Sequence, residues 1–279
     1  MLPVYFISHG GPTFAIRGHS GSEVGAWDTV RKLGPEILSL NPDYIICVSA
    51  HWRSSNKILV SSFDGENPLV YDFYNFPREL YETKFHTNGS KSIAANIVSL
   101  LQKHGIDAAS ESRGLDHGVW TPLRVAFGNP HVQDTGNLDL AVPLIQVSLP
   151  QSDKMVDSYK LGEALASLRS QNVAIICSGM SVHNLKELKQ AMSQEIKVAP
   201  YVEPFNSWLT DSLTNHYGLE ALQKAETDPE LQKLYLKAHP TPEHFHPVVV
   251  AVGAAKDGKA EVLHTAGSIT LGWNIYRFS

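Results

Sequence analysis

PVYFISHGGP, residues 3–12, is the stretch that decides the fold class, because a short apolar run stops there at a histidine and two glycines. Two further runs repeat the pattern: YIICVS (44–49) leads into Ala50-His51-Trp52, and VAIICS (173–178) leads into a segment that contains His183. Uninterrupted Val- and Ile-rich runs of this length are typical of strands buried on both faces, as in parallel sheets covered by helices. The three runs therefore predict an α/β fold.

The rest of the chain alternates between short apolar runs and longer segments of helical period. The strand candidates are Pro3–Ser8, Tyr44–Ser49, Ile58–Phe63, Val142–Leu149, Val173–Ser178 and Val248–Val252. The helix candidates are Glu23–Leu40, Ser90–His104, Asp157–Gln171, Glu203–His216, and a pair within Leu219–Ala238 that is broken at Thr227-Asp228-Pro229. No repeat or Pro/Gly/Ser-rich linker divides the sequence. We predict a single domain over residues 1–279, with a central, mostly parallel sheet flanked by helices on both faces.

Composition excludes several classes of protein. The chain has 279 residues, of which 43% are hydrophobic and 18% charged, enough apolar side chain for a large core. Its formal net charge of -5 offers no basic field to polyanions, so we expect no nucleic-acid partner. No window approaches 18 uninterrupted apolar residues, and the first residues lack a basic signal-peptide start. Cys47 and Cys177 both lie inside apolar runs, where a cysteine usually serves as a small hydrophobic residue. We expect a cytoplasmic protein without a membrane partner.

Histidines follow three of the predicted strands. His9, His51 and His183 each lie within about five residues of a carboxyl strand end, the edge of an open parallel sheet where ligands bind. A neutral imidazole is the commonest metal ligand, and histidines with one carboxylate are the ligands of non-haem Fe(II) oxygenases and many zinc sites. One such histidine is usually a capping or hydrogen-bonding residue, but three at one edge predict a metal site.

Two further polar clusters lie in predicted loops. Leu115–Trp120 contains His117, and Ala238–Pro247 contains Glu243 and His244, either of which could complete the ligand set. The remaining polar-context histidines are expected to be solvated: His86, His104, His131, His216 and His264. The sequence has no G-x-S-x-G elbow, P-loop or C-x-x-C, which argues against serine hydrolysis, nucleotide hydrolysis and thiol redox chemistry.

Five separated motifs carry a family resemblance that covers nearly the whole chain. They are SHGGP (8–12), SAHW (49–52), DHGVW (116–120), VHNL (182–185) and PTPEHF (240–245). Together they resemble the motifs of class III extradiol ring-cleavage dioxygenases of the LigB type. Within that family the 4,5-DOPA extradiol dioxygenase-like branch is the most similar, because it has a segment like YDFYNFPRELY (71–81).

The resemblance implies roles for particular residues. His9 and His51 match the two metal histidines of the family, and the third ligand falls in Glu243-His244, where both residues stay open. His183 matches an active-site histidine beside the metal, to which we assign proton transfer. His117 matches a histidine that contacts substrate or oxygen. His246 departs from the family pattern and is expected to be a surface substitution.

The implied chemistry is the opening of a catechol-type ring with both atoms of O2. Three protein ligands leave metal positions open for two catechol oxygens and for O2. The resemblance implies Fe(II) for activity, with Zn(II) as an ion that purified protein can carry, and a small aromatic diol and O2 as partners. Two other functions stay open: a zinc hydrolase with Glu243 as general base, and a catalytically silent binding protein. The sequence leaves the oligomeric state open.

Overall fold

The computed structural model describes residues 1–19, 21–256 and 258–279. The strands are β1 (Val4–Ser8), β2 (Tyr44–Ser54), β3 (Ile58–Ser61), β4 (Gly65–Glu66), β5 (Asn88–Gly89), β6 (Ala108–Glu111), β7 (Leu144–Pro150), β8 (Val173–Gly179), β9 (Val182–His183), β10 (Ala260–His264), β11 (Gly267–Ser268), β12 (Leu271–Gly272) and β13 (Ile275–Phe278). The helices are α1 (Val24–Ser39), α2 (Arg78–Glu82), α3 (Lys91–Lys103), α4 (His117–Phe127), α5 (Met155–Leu165), α6 (Leu185–Ser193), α7 (Val202–Thr214), α8 (Leu219–Thr227), α9 (Pro229–Ala238) and α10 (His246–Ala255). Short 3-10 helices cover Pro12–Ala15 and Ala166–Gln171.

Eight of the strands form one mixed sheet in the order β10-β13-β1-β8-β2-β7-β3-β6. Its centre is parallel: β8 pairs in parallel with β1 and β2, and β2 pairs in parallel with β7. The strands β10 and β13 form an antiparallel edge against β1. The predicted α/β fold with a mostly parallel sheet is thereby confirmed.

Helices cover both faces of this sheet, because each buried strand sends alternate side chains to opposite sides. On β1, Val4 and Phe6 join a core beneath α3, α5, α7, α8, α9 and α10. Tyr5 and Ile7 point the other way, into a second core with α1, α2 and α4. Strand β1 is therefore buried at every position, as the quoted run predicted.

The predicted strand Val248–Val252 is wrong, because these residues lie in helix α10. All ten residues of this helix are buried, so its sequence shows no helical period. A short apolar run cannot be assigned by period when no side of it faces water. Pro247 in the first turn is compatible with a helix start, and the small residues Gly253 and Ala254 allow close packing against α5.

The predicted loop around His117 is also wrong. His117 is the first residue of α4, a helix that is buried from His117 to Ala126 and runs beneath the sheet. Elsewhere the predicted helices and strands are found with ends shifted by a few residues, and the pair predicted in Leu219–Ala238 is α8 and α9 with Asp228 between them. In the described part of the chain, no helix is long and apolar enough to cross a membrane.

Candidate metal centre

Three histidine side chains converge at the carboxyl ends of the central strands. His9 follows β1, His51 lies near the end of β2, and His244 precedes α10. The Nε2 atom of His51 lies 3.2 Å from Nε2 of His9 and 3.3 Å from Nε2 of His244. His9 and His244 are buried and His51 is half-buried. The structure thus brings together two of the predicted strand-end histidines and one residue of the Glu243-His244 pair.

The other ring nitrogen of each histidine faces an acceptor. Nδ1 of His9 donates to Ser178 Oγ at 2.9 Å, since the Ser178 hydroxyl donates to the carbonyl of Gly118. Nδ1 of His244 donates to Glu243 Oε1 at 3.1 Å. A proton on Nδ1 leaves Nε2 with a free lone pair. These hydrogen-bond partners therefore fix the tautomer whose Nε2 can bind a metal.

The third histidine follows the same pattern. Nδ1 of His51 lies 3.5 Å from the carboxylate of Asp72, a looser contact whose negative charge favours a proton on that nitrogen. Three Nε2 lone pairs therefore point at one another. Such an arrangement repels itself unless a cation lies between the nitrogens, and it is the donor set that zinc and non-haem iron take.

The spacing of the donors also fits one ion. Ligands about 2.0–2.1 Å from a metal, at angles near 90–110°, have donor atoms about 2.9–3.4 Å apart. The observed 3.2 Å and 3.3 Å lie in this range. The residues present therefore fit a divalent metal.

Burial keeps these imidazoles neutral. It lowers the pKa of His9 and of His244 well below the usual value, and the neighbouring histidines lower both further. Burial likewise lowers the pKa of His51 to about 4, although Asp116 and Asp72 oppose the shift. Neutral imidazole is the form that binds metal.

Glu243 lies on the opposite side of the His244 ring from the three Nε2 atoms. Its Oε1 accepts hydrogen bonds from His244 Nδ1 and, at 2.8 Å, from Thr241 Oγ1. A carboxylate in this position orients a metal-binding histidine and raises its basicity. The two neighbouring candidates thus lie in different positions relative to the cluster.

Asp72 is a site residue that the sequence analysis did not single out. Its Oδ1 accepts from both the backbone N–H and the Nδ1 of His117, at 2.9 Å and 2.8 Å. Burial alone would raise the pKa of Asp72, but its hydrogen bonds and charge interactions with His117 and His51 hold it lower, at about 2. The one available signal was the position of Asp72 as the only carboxylate among the aromatic residues of YDFYNF (71–76).

His183 lies beside the cluster without joining the three Nε2 atoms. Its ring stacks on His244, with ring centroids 3.5 Å apart and planes 17° from parallel. Burial lowers the pKa of His183 to about 4, which leaves the imidazole neutral. His117 lies beside His51, with the two ring centroids 4.0 Å apart.

A cavity of about 510 Å³ opens onto this cluster. His51, His117, His183 and His244 contribute to its lining, and most of the other lining side chains are apolar. This volume lies within the range of about 300–1,000 Å³ that is usual for small-molecule sites. The cavity therefore places a small ligand in contact with the histidines.

Two glycines shape the backbone around the cluster. Gly10 has φ of 65°, and a Cβ there would overlap the indole of Trp273. Gly179, at the end of β8, packs so closely on the His244 carbonyl that a Cβ would overlap it. The next amide, Met180 N–H, donates to that carbonyl at 2.9 Å. The two contacts fix the His244 segment against the sheet.

The expectation that His246 is a surface residue is wrong. His246 is 1% exposed, its Nδ1 pairs with Ser158 Oγ, and burial lowers its pKa to about 4. His86 was expected to be solvated but lies between the carboxylates of Glu66 and Asp134. Neither side chain lines the cavity beside the histidine cluster, and both make hydrogen bonds within the fold.

The class of protein is an α/β fold with a mostly parallel sheet, whose carboxyl edge has a histidine cluster that could hold a metal ion beside a small-molecule cavity. The particular family follows from comparison with known proteins: residues 3–278 match the model of the catalytic LigB subunit of aromatic ring-opening dioxygenase, and the chain belongs to this family. The resemblance seen in the five motifs is confirmed, and with it membership in a family of dioxygenases.

Curated relatives match over almost their whole length. A 4,5-DOPA dioxygenase extradiol-like protein of Schizosaccharomyces pombe is 35% identical over 94% of this chain and 88% of its own. The 4,5-DOPA dioxygenase extradiol of Beta vulgaris is 35% identical over 99% of this chain and 96% of its own. Among solved structures, an uncharacterized protein of Escherichia coli K12 has a similar fold, with a TM-score of 0.71 and 23% identity over all of both chains.

Proposed function

We propose that this protein is a metal-dependent extradiol dioxygenase that opens a catechol-type ring and inserts both atoms of O2. The observation that carries the proposal is the convergence of three Nε2 atoms beside a cavity. Nε2 of the central histidine, His51, lies 3.2 Å and 3.3 Å from the other two. Family membership and the names of the relatives support the same reaction class.

We assign His9, His51 and His244 as the metal ligands, and Glu243 as the carboxylate that orients His244. The assignment rests on which atom of each residue faces the cluster: Nε2 for the histidines, whereas Glu243 contacts Nδ1 of His244. When bound there, Fe(II) would supply a redox-active centre with open positions for two catechol oxygens and O2. Zn(II) would fit the same donors but has no accessible redox couple.

His117 and His183 are the groups that we assign to the substrate. Both line the cavity, His117 beside the ring of His51 and His183 stacked on that of His244. Asp72 holds the proton of His117 on Nδ1, so Nε2 of that ring can accept a hydrogen bond or a proton. His183 is neutral, and we assign to it the transfer of a catechol proton because its ring lines the cavity and stacks on that of His244.

The zinc hydrolase requires Glu243 as general base beside a metal-bound water. The hydrogen bonds of Glu243 to His244 Nδ1 and Thr241 use the carboxylate away from the three Nε2 atoms. This arrangement favours an orienting role over a general base, and therefore favours the dioxygenase.

The proposal is tested with protein loaded anaerobically with Fe(II) and mixed with a panel of catechols in buffer equilibrated with ¹⁸O2. We expect one O2 consumed per ring opened, a yellow semialdehyde product, and two ¹⁸O atoms in each product before exchange with water. The matched control is the same protein loaded with Zn(II), which should consume no O2. Incorporation of a single ¹⁸O atom, or no uptake with any catechol, would contradict the proposal.

A further inference from the structure

Apolar side chains make up much of the cavity lining. Phe73, Tyr74 and Phe76 contribute one part of it. Leu185, Leu188 and Met192 contribute another, from helix α6. Positions 185, 188 and 192 are three and four residues apart, so they share one face of the helix. A ring substituent that contacts this part of the lining would therefore meet hydrocarbon.

The described lining of the cavity offers no cationic side chain to a ligand. Among the described residues that line it, none is a lysine or arginine, and Asp72 is the only acidic one. Tyr74, Leu185 and Met192 are themselves exposed, so an anionic group beside them would give up only part of its hydration. It would nevertheless lie near the carboxylate of Asp72 and gain no cation in exchange, which disfavours the anion.

Cations near the site do not supply the missing partner. Arg113 donates to the buried carboxylate of Asp116 at 3.2 Å and is not part of the lining. Lys186 and Lys189 belong to α6 but are exposed and are likewise absent from the described lining.

From these observations we infer that the cavity selects catechols whose ring substituent is apolar and uncharged over catechols whose substituent ends in a carboxylate. The inference rests on the proposed function, since it takes the catechol ring to be bound at the histidines. It adds the class of substituent, and α6 as the element that determines the choice.

A matched pair of ligands tests the inference: 4-propylcatechol and 3-(3,4-dihydroxyphenyl)propionate have side chains of similar length and differ in the terminal carboxylate. Binding of each to the Fe(II)-loaded protein is measured anaerobically by calorimetry, so that no turnover is needed. We expect Kd for 4-propylcatechol to be lower by at least about tenfold. Equal Kd values, or tighter binding of the acid, would overturn the inference.

Helix α6 provides a second test. Leu188→Arg adds a cation to the apolar part of the lining, and Leu188→Gln adds a polar side chain without charge. The arginine variant should bind the propionate at least about tenfold more tightly than the glutamine variant, because a charge-assisted hydrogen bond then becomes available. Met192→Arg repeats the test at a position that is 58% exposed and tolerates a large side chain. Unchanged propionate affinity in both arginine variants would show that α6 does not determine the selectivity.

The same samples separate this inference from the proposed function. Admission of O2 after the binding measurement shows whether the bound catechol is opened. Preferential binding of 4-propylcatechol without O2 uptake would contradict the proposed function and leave the selectivity standing. Ring opening of both ligands with no difference in Kd would do the opposite.

Discussion

At the scale of single residues, Glu243 and His244 are neighbours in sequence for which we propose different roles: His244 as a metal ligand and Glu243 as the carboxylate that orients it. We expect His244→Ala to abolish stoichiometric binding of Fe(II) or Zn(II), because it removes one of three converging nitrogens. Glu243→Gln should keep one ion per chain and weaken its affinity by about 10–100-fold, the usual effect of losing a carboxylate behind a ligand histidine. Metal content after dialysis and competition with a chelator measure both effects. Loss of the ion in Glu243→Gln with retention in His244→Ala would reverse the assignment.

Asp72 is expected to act through His117. Asp72→Asn keeps the size of the side chain but weakens its hold on the His117 proton, so kcat/KM for a catechol should fall by about 10–100-fold while metal content stays near one. His117→Phe and the double variant provide the diagnostic comparison. If Asp72 works by positioning His117, the double variant should be no slower than His117→Phe, since the two effects are not additive. Additive losses would show that Asp72 also acts outside His117, for which its contact with His51 Nδ1 at 3.5 Å is the candidate.

The site was predictable in so far as it depends on strand ends. His9 and His51 could be assigned to one edge because a buried run stops directly before each of them. Asp72 could not, since it lies outside the helices and strands and its contact with His117 joins residues 45 positions apart. The choice between Glu243 and His244 depended on which way each side chain points, which spacing does not encode.

At the scale of elements, the close approach of β8 to the His244 segment is essential to the geometry of the cluster. Gly179→Ala would drive a methyl group into the His244 carbonyl, so either the strand end or the segment must move. We expect metal affinity to fall by at least about tenfold, because a ligand shift of a few tenths of an ångström degrades coordination. Gly11→Ala is the control: its Cβ would have no neighbour nearer than 4.0 Å, so affinity should change little. Equal affinities in the two variants, measured by zinc titration, would contradict this account.

A second element-scale contact ties the segment around residue 134 to β4 and should depend on pH. Hydrogen bonds with Asp134 and Glu66 raise the pKa of His86, so the protonated form is favoured in the folded protein. The stabilisation is full below the unfolded pKa of about 6.5 and is lost as pH rises through the higher folded value. Solvent screens these partly exposed charges, which limits the effect to at most about 1 kcal/mol.

The difference in Tm between the parent and His86→Gln measures this contact. We expect the advantage of the parent to be larger at pH 6 than at pH 9, and to shrink in 0.5 M salt. A difference that stays constant with pH would show that His86 contributes by packing alone.

Helices and strands were predictable wherever one face meets water. The spacing of apolar residues predicted α1 and α3, each of which buries one side and exposes the other. It failed for α10, which is buried all round and therefore shows no period. Helix α4 was also missed, although it is buried along almost its whole length. The antiparallel strands β10 and β13 are short and were not predicted, because their residues lack a long apolar run.

At the scale of the whole molecule, the alternation of runs and helical segments was enough to predict a mostly parallel sheet with two covered faces. It did not predict that the last strand, β13, pairs with β1, the strand that leads into His9. Pairings between residues more than 250 positions apart leave no local signal. The sheet order therefore required the structure.

The candidate ligands are also far apart in sequence, at positions 9, 51 and 244, and this links metal binding to global stability. An ion that needs all three nitrogens binds the folded chain but not the unfolded one. At a free metal concentration 100-fold above Kd it should add about 2.7 kcal/mol to the free energy of unfolding, or roughly 5–10 °C in Tm. Zinc suits the measurement, because it avoids oxidation during heating. We expect a chelator to remove the increment from the parent protein, and His51→Ala to show none at any zinc concentration. A metal-dependent rise in Tm that persists in His51→Ala would place the ion elsewhere in the molecule.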